Sequence, residues 1–184
     1  MLQFQEYLLS GSVLDASVPL LQERLLGLTK VAPVSFQEQE LIFSHHLSPD
    51  IRLRARRSMD ALEAPWLLRY VGNPEPDPTR SCPVLIRKTV DTLGQSNDLM
   101  TFLRSSGFRC NYEFVIKGNV YLKGIMKLIV AKIYRPKKVG DPSTDNLEPI
   151  SKSFIVQLSA VPSEHDPKLI SEMKGFADQL KPYD

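Results

Sequence analysis

One stretch, Tyr112 to Tyr134, constrains the fold of this chain more than any other. It holds two runs rich in aromatic and β-branched residues, and Gly118 and Asn119 stand between them. Such runs favour β-strands, and both Gly and Asn tolerate the positive φ that a tight hairpin turn requires. The sequence therefore predicts a β-hairpin that turns at Gly118-Asn119.

The two arms of this hairpin differ in their apolar pattern. In the first arm Tyr112, Phe114 and Ile116 share one face, which is typical of a strand buried on one side. The second arm is apolar on both faces, so both need cover, from the chain's own helices or from a partner protein. The candidate partner-binding residues on this arm are Ile125, Ile129 and Ile133 on one face and Met126, Leu128, Val130 and Tyr134 on the other.

The rest of the chain predicts further strands and helices. About eight segments have the alternation or composition of strands, and three have apolar residues at helical spacing. The order contains hairpins but no βαβ alternation, and closure of an antiparallel sheet removes exposed edges. We therefore expect an α+β fold, an antiparallel β-barrel with about three packed helices. Residues 1–184 would form one domain, with loops at about 73–83 and 135–150.

Composition excludes several classes of protein. The net charge is only +2, and no apolar run approaches the 18 or so residues needed to cross a bilayer. Cys82 and Cys110 form neither a metal-ligand spacing nor a disulfide framework. We therefore expect a soluble intracellular protein in a reducing compartment, with no membrane partner.

A basic band lies between Arg104 and Lys138. It contains nine Lys and Arg residues, and Glu113 is its only acid. The band is either the solvated edge of a sheet or a contact surface for an acidic partner. A barrel that binds nucleic acid through this band is one alternative function, although the low net charge argues against direct nucleic-acid binding.

A second basic feature is the row of Arg52, Arg54 and Arg56, which alternate and so share one face of a predicted strand. Guanidinium groups bind carboxylates in a bidentate manner. The row is therefore either a clamp on carboxylates of a partner or a participant in ion pairs inside the protein. We include the three arginines among the candidate partner-binding residues.

No pattern in the sequence predicts a catalytic, cofactor-binding or metal-binding residue. The nucleophile, phosphate-loop and zinc motifs are absent, and the adjacent His45 and His46 are expected to face opposite ways. Glu38 and Glu40 share a strand face and resemble part of the interior of a metal-dependent tunnel-type triphosphate hydrolase. The later strands offer too few acids to complete that pattern, so this hydrolase is an alternative only.

Six blocks spread over the chain resemble the family of subunit 18 of the Mediator complex. They are Glu6-Tyr-Leu-Leu-x-Gly-Ser-Val-Leu-Asp15, Leu53-Arg-Ala-Arg-Arg-Ser-Met-Asp60, Ala64-Pro-Trp-x-Leu-Arg-Tyr-x-Gly72, Glu113-Phe-Val-x-Lys-Gly118, Lys123-Gly-Ile-Met-Lys127 and Phe176-Ala-x-Gln-Leu-Lys-Pro182. Because the blocks keep their order over nearly the whole chain, the resemblance is more specific than any short motif.

The resemblance implies a non-catalytic subunit of the Mediator head module in the nucleus, a coactivator that relays regulatory signals to RNA polymerase II at initiation. It implies a barrel similar in fold to the triphosphate tunnel enzymes. It also implies two direct partners, the related barrel of Mediator subunit 20 and a C-terminal helix of Mediator subunit 8. Other head subunits and the RNA polymerase II machinery would complete the assembly.

Overall fold

The computed structural model describes residues 2–76, 83–95, 98–138 and 140–181. Within these ranges the chain forms three α-helices and nine β-strands. The helices are α1 Val18–Thr29, α2 Leu99–Ser105 and α3 Pro167–Asp178. The strands are β1 Leu2–Leu14, β2 Val34–His45, β3 Ser48–Ser58, β4 Trp66–Pro74, β5 Leu85–Gly94, β6 Phe108–Lys123, β7 Met126–Pro136, β8 Leu147–Pro149 and β9 Ser153–Ala160.

Eight of these strands close into an antiparallel barrel. The order around the barrel is β6-β2-β3-β4-β5-β1-β9-β7, and pairing of β6 with β7 completes the ring. The short β8 pairs with the end of β7. The predicted α+β barrel with three helices is therefore confirmed. Most of the expected loop at 73–83 lies outside the described residues, and none of the described helices is long and apolar enough to span a membrane.

The predicted position of the hairpin turn is wrong. β6 continues through Gly118 and Asn119, and the chain turns at Gly124 and Ile125. Gly124 has φ +59°, the left-handed conformation that glycine adopts readily. Gly118 pairs with Ala131 of β7, and a Cβ at Gly118 would lie 2.2 Å from the carbonyl oxygen of Val130. Glycine is needed at 118 because two backbones approach closely there, not because the chain turns.

The helices cover the outer face of the barrel in two places. α1 and α3 pack on one side, where Leu21, Leu25 and Met173 meet Leu128 and Val130 of β7 in the larger core cluster. α2 packs on another side and forms a smaller cluster with β2, β3 and β4. The outer face of β7 is therefore covered by the chain's own helices. The sequence alone allowed either these helices or a partner protein to cover it.

The start of α3 is anchored to the barrel by polar contacts. The Tyr7 hydroxyl accepts a hydrogen bond from the Asp166 backbone N–H (3.1 Å) and lies 2.8 Å from His165 Nδ1. Asp166 caps the helix, since its side chain accepts a hydrogen bond from the Lys168 N–H. The buried Tyr7 ring thus fixes where α3 begins.

Gly118→Ala is expected to lower the free energy of unfolding by about 3 kcal/mol, because the new methyl group meets a backbone carbonyl that cannot move without breaking the β6–β7 ladder. Urea denaturation followed by circular dichroism measures the change. Gly175→Ala is the matched control: the space beside Gly175 in α3 is open, so this substitution is expected to stabilise the protein by up to about 1 kcal/mol. Equal stability of the two variants would contradict the close-approach explanation.

Candidate functional site

The lumen of the barrel is lined with charged side chains, in contrast to its apolar outer face. Along β2 and β3 the pairing of Glu40 with Arg56 and of Ile42 with Arg54 places the charged residues on the inner face. Glu40 is only 2% exposed and accepts from both arginines, at 3.3 Å from Arg54 Nη1 and 3.0 Å from Arg56 Nη2. A buried carboxylate of this kind requires such partners.

A second group of ion pairs continues around the lumen through β1, β4 and β5. Arg69 donates to both oxygens of Asp91 at 2.7 Å and reaches Glu6 at 3.4 Å. Arg87 donates to Glu6 at 2.7 Å. The hydrogen bond to Asp91 raises the pKa of Arg69 above its ordinary value, in spite of its burial. Three strands are therefore joined across the lumen by charge-assisted hydrogen bonds.

Lys127 of β7 faces the same lumen from the opposite wall. Loss of solvation, followed by the nearby charge of Arg56, lowers the pKa of the Lys127 ammonium below its ordinary value of 10.5. Among the described residues this ammonium forms neither a hydrogen bond nor an ion pair. The charges of Glu38 and Glu6 act in the opposite direction, but neither acid forms a direct ion pair with Lys127 among the described residues.

These side chains surround a cavity of about 550 Å³ at one end of the barrel. Six cationic side chains line it, five from the inner wall and Arg57 from the other face of β3, against the two carboxylates of Glu6 and Glu38. Glu40 and Asp91 are not among the lining residues, because they lie against the guanidinium groups. Pro65, Ile125 and Val161 stand at the mouth. The five inner-wall cations are Arg54, Arg56, Arg69, Arg87 and Lys127.

A larger groove of about 910 Å³, which we call the outer groove, lies where β6 extends past its pairing with β7. Residues of both sheet faces line it: Leu41 and Phe43 belong to the outer face, whereas Tyr112 and Phe114 pair with Ile42 and Glu40 of the inner face. Its lining is mostly apolar and includes Trp66, Met100 and Tyr112. Tyr112 is 56% exposed, and its ring stacks near that of Phe114. Arg104 and Arg135 also line the groove. This surface can accept an apolar segment with acidic flanks.

The structure separates the predicted partner-binding residues into three groups. Met126, Leu128 and Val130 are buried in the chain's own core, so they are not available as a surface. Arg54 and Arg56 bind Glu40 of the same chain, which agrees with the alternative that the arginine row forms ion pairs inside the protein. The remaining residues are at least partly accessible, and their role in partner binding stays a prediction: Ile125, Ile129, Ile133, Tyr134 and Arg52.

The basic band does not form a continuous surface. Lys132 is buried and pairs with Asp15, while Arg135 pairs with Glu148. Lys117 lies over the ring of Tyr134, and Lys123 lies over that of Phe176. With Lys127 in the lumen, neighbouring members of the band point to different sides of the sheet. A single track for nucleic acid is therefore not present in the described part of the band.

Two expectations about polar residues need correction. The rings of His45 and His46 lie 5.0 Å apart instead of facing opposite ways, because the register of β2 shifts between Ser44 and His45. No group of three or more metal-ligating side chains forms among the described residues. The lumen also holds acids that the sequence patterns did not single out, Glu6 and Asp91. Gln5 and Thr92 beside them are polar, so no clean alternation marks either acid in the sequence.

Removing both arginine partners of Glu40 is expected to destabilise the protein. Arg54→Ala with Arg56→Ala leaves a buried carboxylate unpaired, which costs about 3–5 kcal/mol in the free energy of unfolding. Urea denaturation measures this change. Arg52→Ala, on the same face of β3 but exposed, is the control and is expected to change stability by less than about 0.5 kcal/mol. If the double variant kept its stability and lost partner binding, the arginine row would instead be a clamp on a partner.

Lys127→Met is expected to raise the melting temperature at pH 7 slightly, since the side chain is exposed and solvent screens the effect. The pKa of Lys127 in the folded protein lies below its ordinary value of 10.5. At a pH between the folded-state pKa and 10.5, the folded protein therefore binds fewer protons than the unfolded chain. The destabilisation by Lys127 is thus complete at neutral pH and disappears as the pH rises towards 10.5. Thermal unfolding at pH 7 and pH 10 would show the difference from wild type shrinking.

Lys88→Met, on the outer exposed face of β5, is the matched control for this comparison. It is expected to have no such pH-dependent effect. A lower melting temperature for Lys127→Met at pH 7 would mean that the Lys127 ammonium stabilises the fold.

Comparisons with known proteins agree with this geometry. A family model described as Med18 protein matches residues 5–183. Mediator of RNA polymerase II transcription subunit 18 from Danio rerio is 43% identical to this chain, over 98% of this chain and 86% of that protein. These two matches cover nearly all of the described barrel.

Two solved structures share the fold. A chain in the structure of the Schizosaccharomyces pombe Mediator head module superposes with a TM-score of 0.78 at 15% identity, over 96% of this chain and 92% of that chain. A protein from Hippeastrum with a dominant triphosphatase activity gives a TM-score of 0.55 at 13% identity, over 95% and 87% of the two chains. At these identities the likeness shows the fold alone. The family model and the Danio rerio relative identify the family: the chain belongs to the Med18 protein family.

Proposed function

We propose that this chain is a non-catalytic structural subunit of the Mediator head module in the nucleus, where it takes part in relaying regulatory signals to RNA polymerase II. The observation that carries the proposal is the 43% identity to a Mediator subunit over almost the full chain. The lumen supports a non-catalytic role, because Glu6, Glu40 and Asp91 are occupied by guanidinium groups. A metal-dependent hydrolase needs carboxylate oxygens that are free to bind a divalent cation.

The outer groove is the surface that best suits a C-terminal helix of Mediator subunit 8. An amphipathic helix binds by placing its apolar side chains in a groove, and this groove offers Trp66, Met100 and Tyr112 to them. Arg104 and Arg135 at the same groove favour acidic residues on the flanks of the helix. Aromatic and arginine side chains are the types that contribute most to binding energy in interfaces.

The turn between β6 and β7 suits a contact with the barrel of Mediator subunit 20. Leu122 is 50% exposed and Ile125 is 60% exposed, although the adjacent Tyr121 and Met126 are buried. Exposed apolar residues at the end of a rigid hairpin are a common feature of protein interfaces. Of the predicted partner-binding residues, Ile125 is therefore the strongest candidate for this contact.

Co-expression with Mediator subunits 8 and 20, followed by size-exclusion chromatography, tests the assignment. We expect the three chains to elute as one complex, with this chain alone prone to aggregation. A well-behaved monomer that binds neither subunit would contradict the proposal. Trp66, the single tryptophan of the chain, lies in the groove and reports on it, so subunit 8 is expected to shift its fluorescence emission.

Tyr112→Ala is expected to weaken binding of the subunit 8 helix by about tenfold or more, because the substitution removes an aromatic anchor from the groove. Fluorescence titration of the Trp66 signal measures the affinity. Tyr70→Ala is the matched control, since Tyr70 is 39% exposed on β4 and does not line the groove. Equal loss of affinity in both variants would show that the helix binds elsewhere or that tyrosine loss affects the fold in general.

A further inference from the structure

The cavity in the barrel lumen has the chemistry of an anion site. It is lined by five inner-wall cations and two carboxylates, and it lies inside a closed ring of strands. Its volume of about 550 Å³ is in the range of small-molecule sites. Charges held in a partly desolvated space interact more strongly with a ligand than charges on the surface. The partner surfaces proposed above do not depend on this cavity.

The hydrogen-bonding capacity of these cations is not exhausted by the ion pairs. Lys127 forms neither a hydrogen bond nor an ion pair among the described residues. Arg54 donates only from Nη1 to Glu40, so its Nε and Nη2 groups remain available in this part of the chain. Arg87 uses Nε and Nη2 on Glu6, which leaves Nη1. Donors from three different strands therefore remain for a ligand inside the lumen.

The arrangement favours phosphate over carboxylate as the ligand chemistry. A carboxylate presents two oxygens in one plane, whereas a phosphate presents oxygens in several directions and carries more charge. Donors that converge from β3, β5 and β7 surround a ligand instead of approaching it from one side. Several cations in one lumen suit several linked phosphates.

A divalent metal is not required by this arrangement and has few ligands here. Each carboxylate that faces the lumen receives hydrogen bonds or an ion pair from at least one guanidinium group. No group of three or more metal-ligating residues was found among the described residues. The positive charge that a metal would bring to a phosphate chain is supplied by the side chains themselves.

Lys127 is the residue on which this site depends most directly. The Lys127 side chain is exposed towards the cavity, and besides loss of solvation the charge of Arg56 beside it contributes to the lowering of its pKa. A bound anion would offset the repulsion from Arg56. A residue that reduces stability while it remains available for binding is a common feature of ligand sites.

We propose that the lumen of this barrel binds an oligophosphate chain, such as that of a nucleoside triphosphate, without a divalent metal and without hydrolysing it. Lys127 would contact the phosphates directly, together with Arg54 and Arg87. The ligand would enter through the mouth beside the β6–β7 turn. The site thus differs from the outer groove in place and in chemistry.

Isothermal titration of the full chain with tripolyphosphate, in a buffer containing EDTA, tests this proposal. We expect saturable binding at one site. Lys127→Gln is expected to weaken it about tenfold, the effect of losing one charge-assisted hydrogen bond. Lys88→Gln makes the same charge change on the outer face of β5 and is expected to bind as wild type does. Circular dichroism melting would establish that both variants are folded.

Several outcomes would overturn the proposal. These are the absence of binding, binding only after Mg²⁺ is added, release of orthophosphate during incubation, and equal weakening by Lys127→Gln and Lys88→Gln. The last result would mean that the anion adsorbs to the surface charge as a whole. Binding that depends on Lys127 supports the proposal for any of three probes: tripolyphosphate, ATP or a 5′-triphosphorylated oligoribonucleotide. The probe that binds most tightly identifies the source of the phosphates.

Discussion

The pairing of guanidinium groups with buried carboxylates in the lumen is the constraint on which the rest of the structure depends. Glu40 and Glu6 are almost fully buried, and each is held by two arginines from other strands of the barrel. A carboxylate without such partners would destabilise the barrel by several kcal/mol. Because charged residues occupy the inner face of these strands, their apolar residues must lie on the outer face.

The placement of charged residues inside the barrel and apolar residues outside explains why three helices pack on it. An apolar outer face must be removed from water, and α1, α3 and α2 cover it in two separate clusters. The helices therefore act as the outer layer of the core rather than as additions to a barrel that is already stable. The Tyr7 hydroxyl and the Asp166 cap fix the start of α3, and so the larger cluster depends on a few polar contacts as well as on packing.

The same arrangement separates two kinds of surface. Apolar and aromatic residues that the helices leave uncovered gather in the outer groove, which suits a protein partner. Cations whose donors are not used by carboxylates gather in the lumen, which suits a small anion. The likeness to a triphosphatase barrel concerns the fold alone. The carboxylates in this lumen serve the arginines, so the fold is compatible with a role in assembly, which the family relationship supports.

The sequence by itself determined the α+β class, the antiparallel strands, the three helices and the family, because these depend on local periodicity and on residues in order along the chain. Only the tertiary structure decided which side of each strand faces the lumen. The doubly apolar β7 could have bound a partner, and Gly118 could have formed a turn, until the positions of α3 and of the β7 backbone were known. Glu6, Asp91 and Lys127 lie far apart in sequence, and closure of the barrel alone brings them to one cavity, since strand pairing joins residues that local patterns cannot relate.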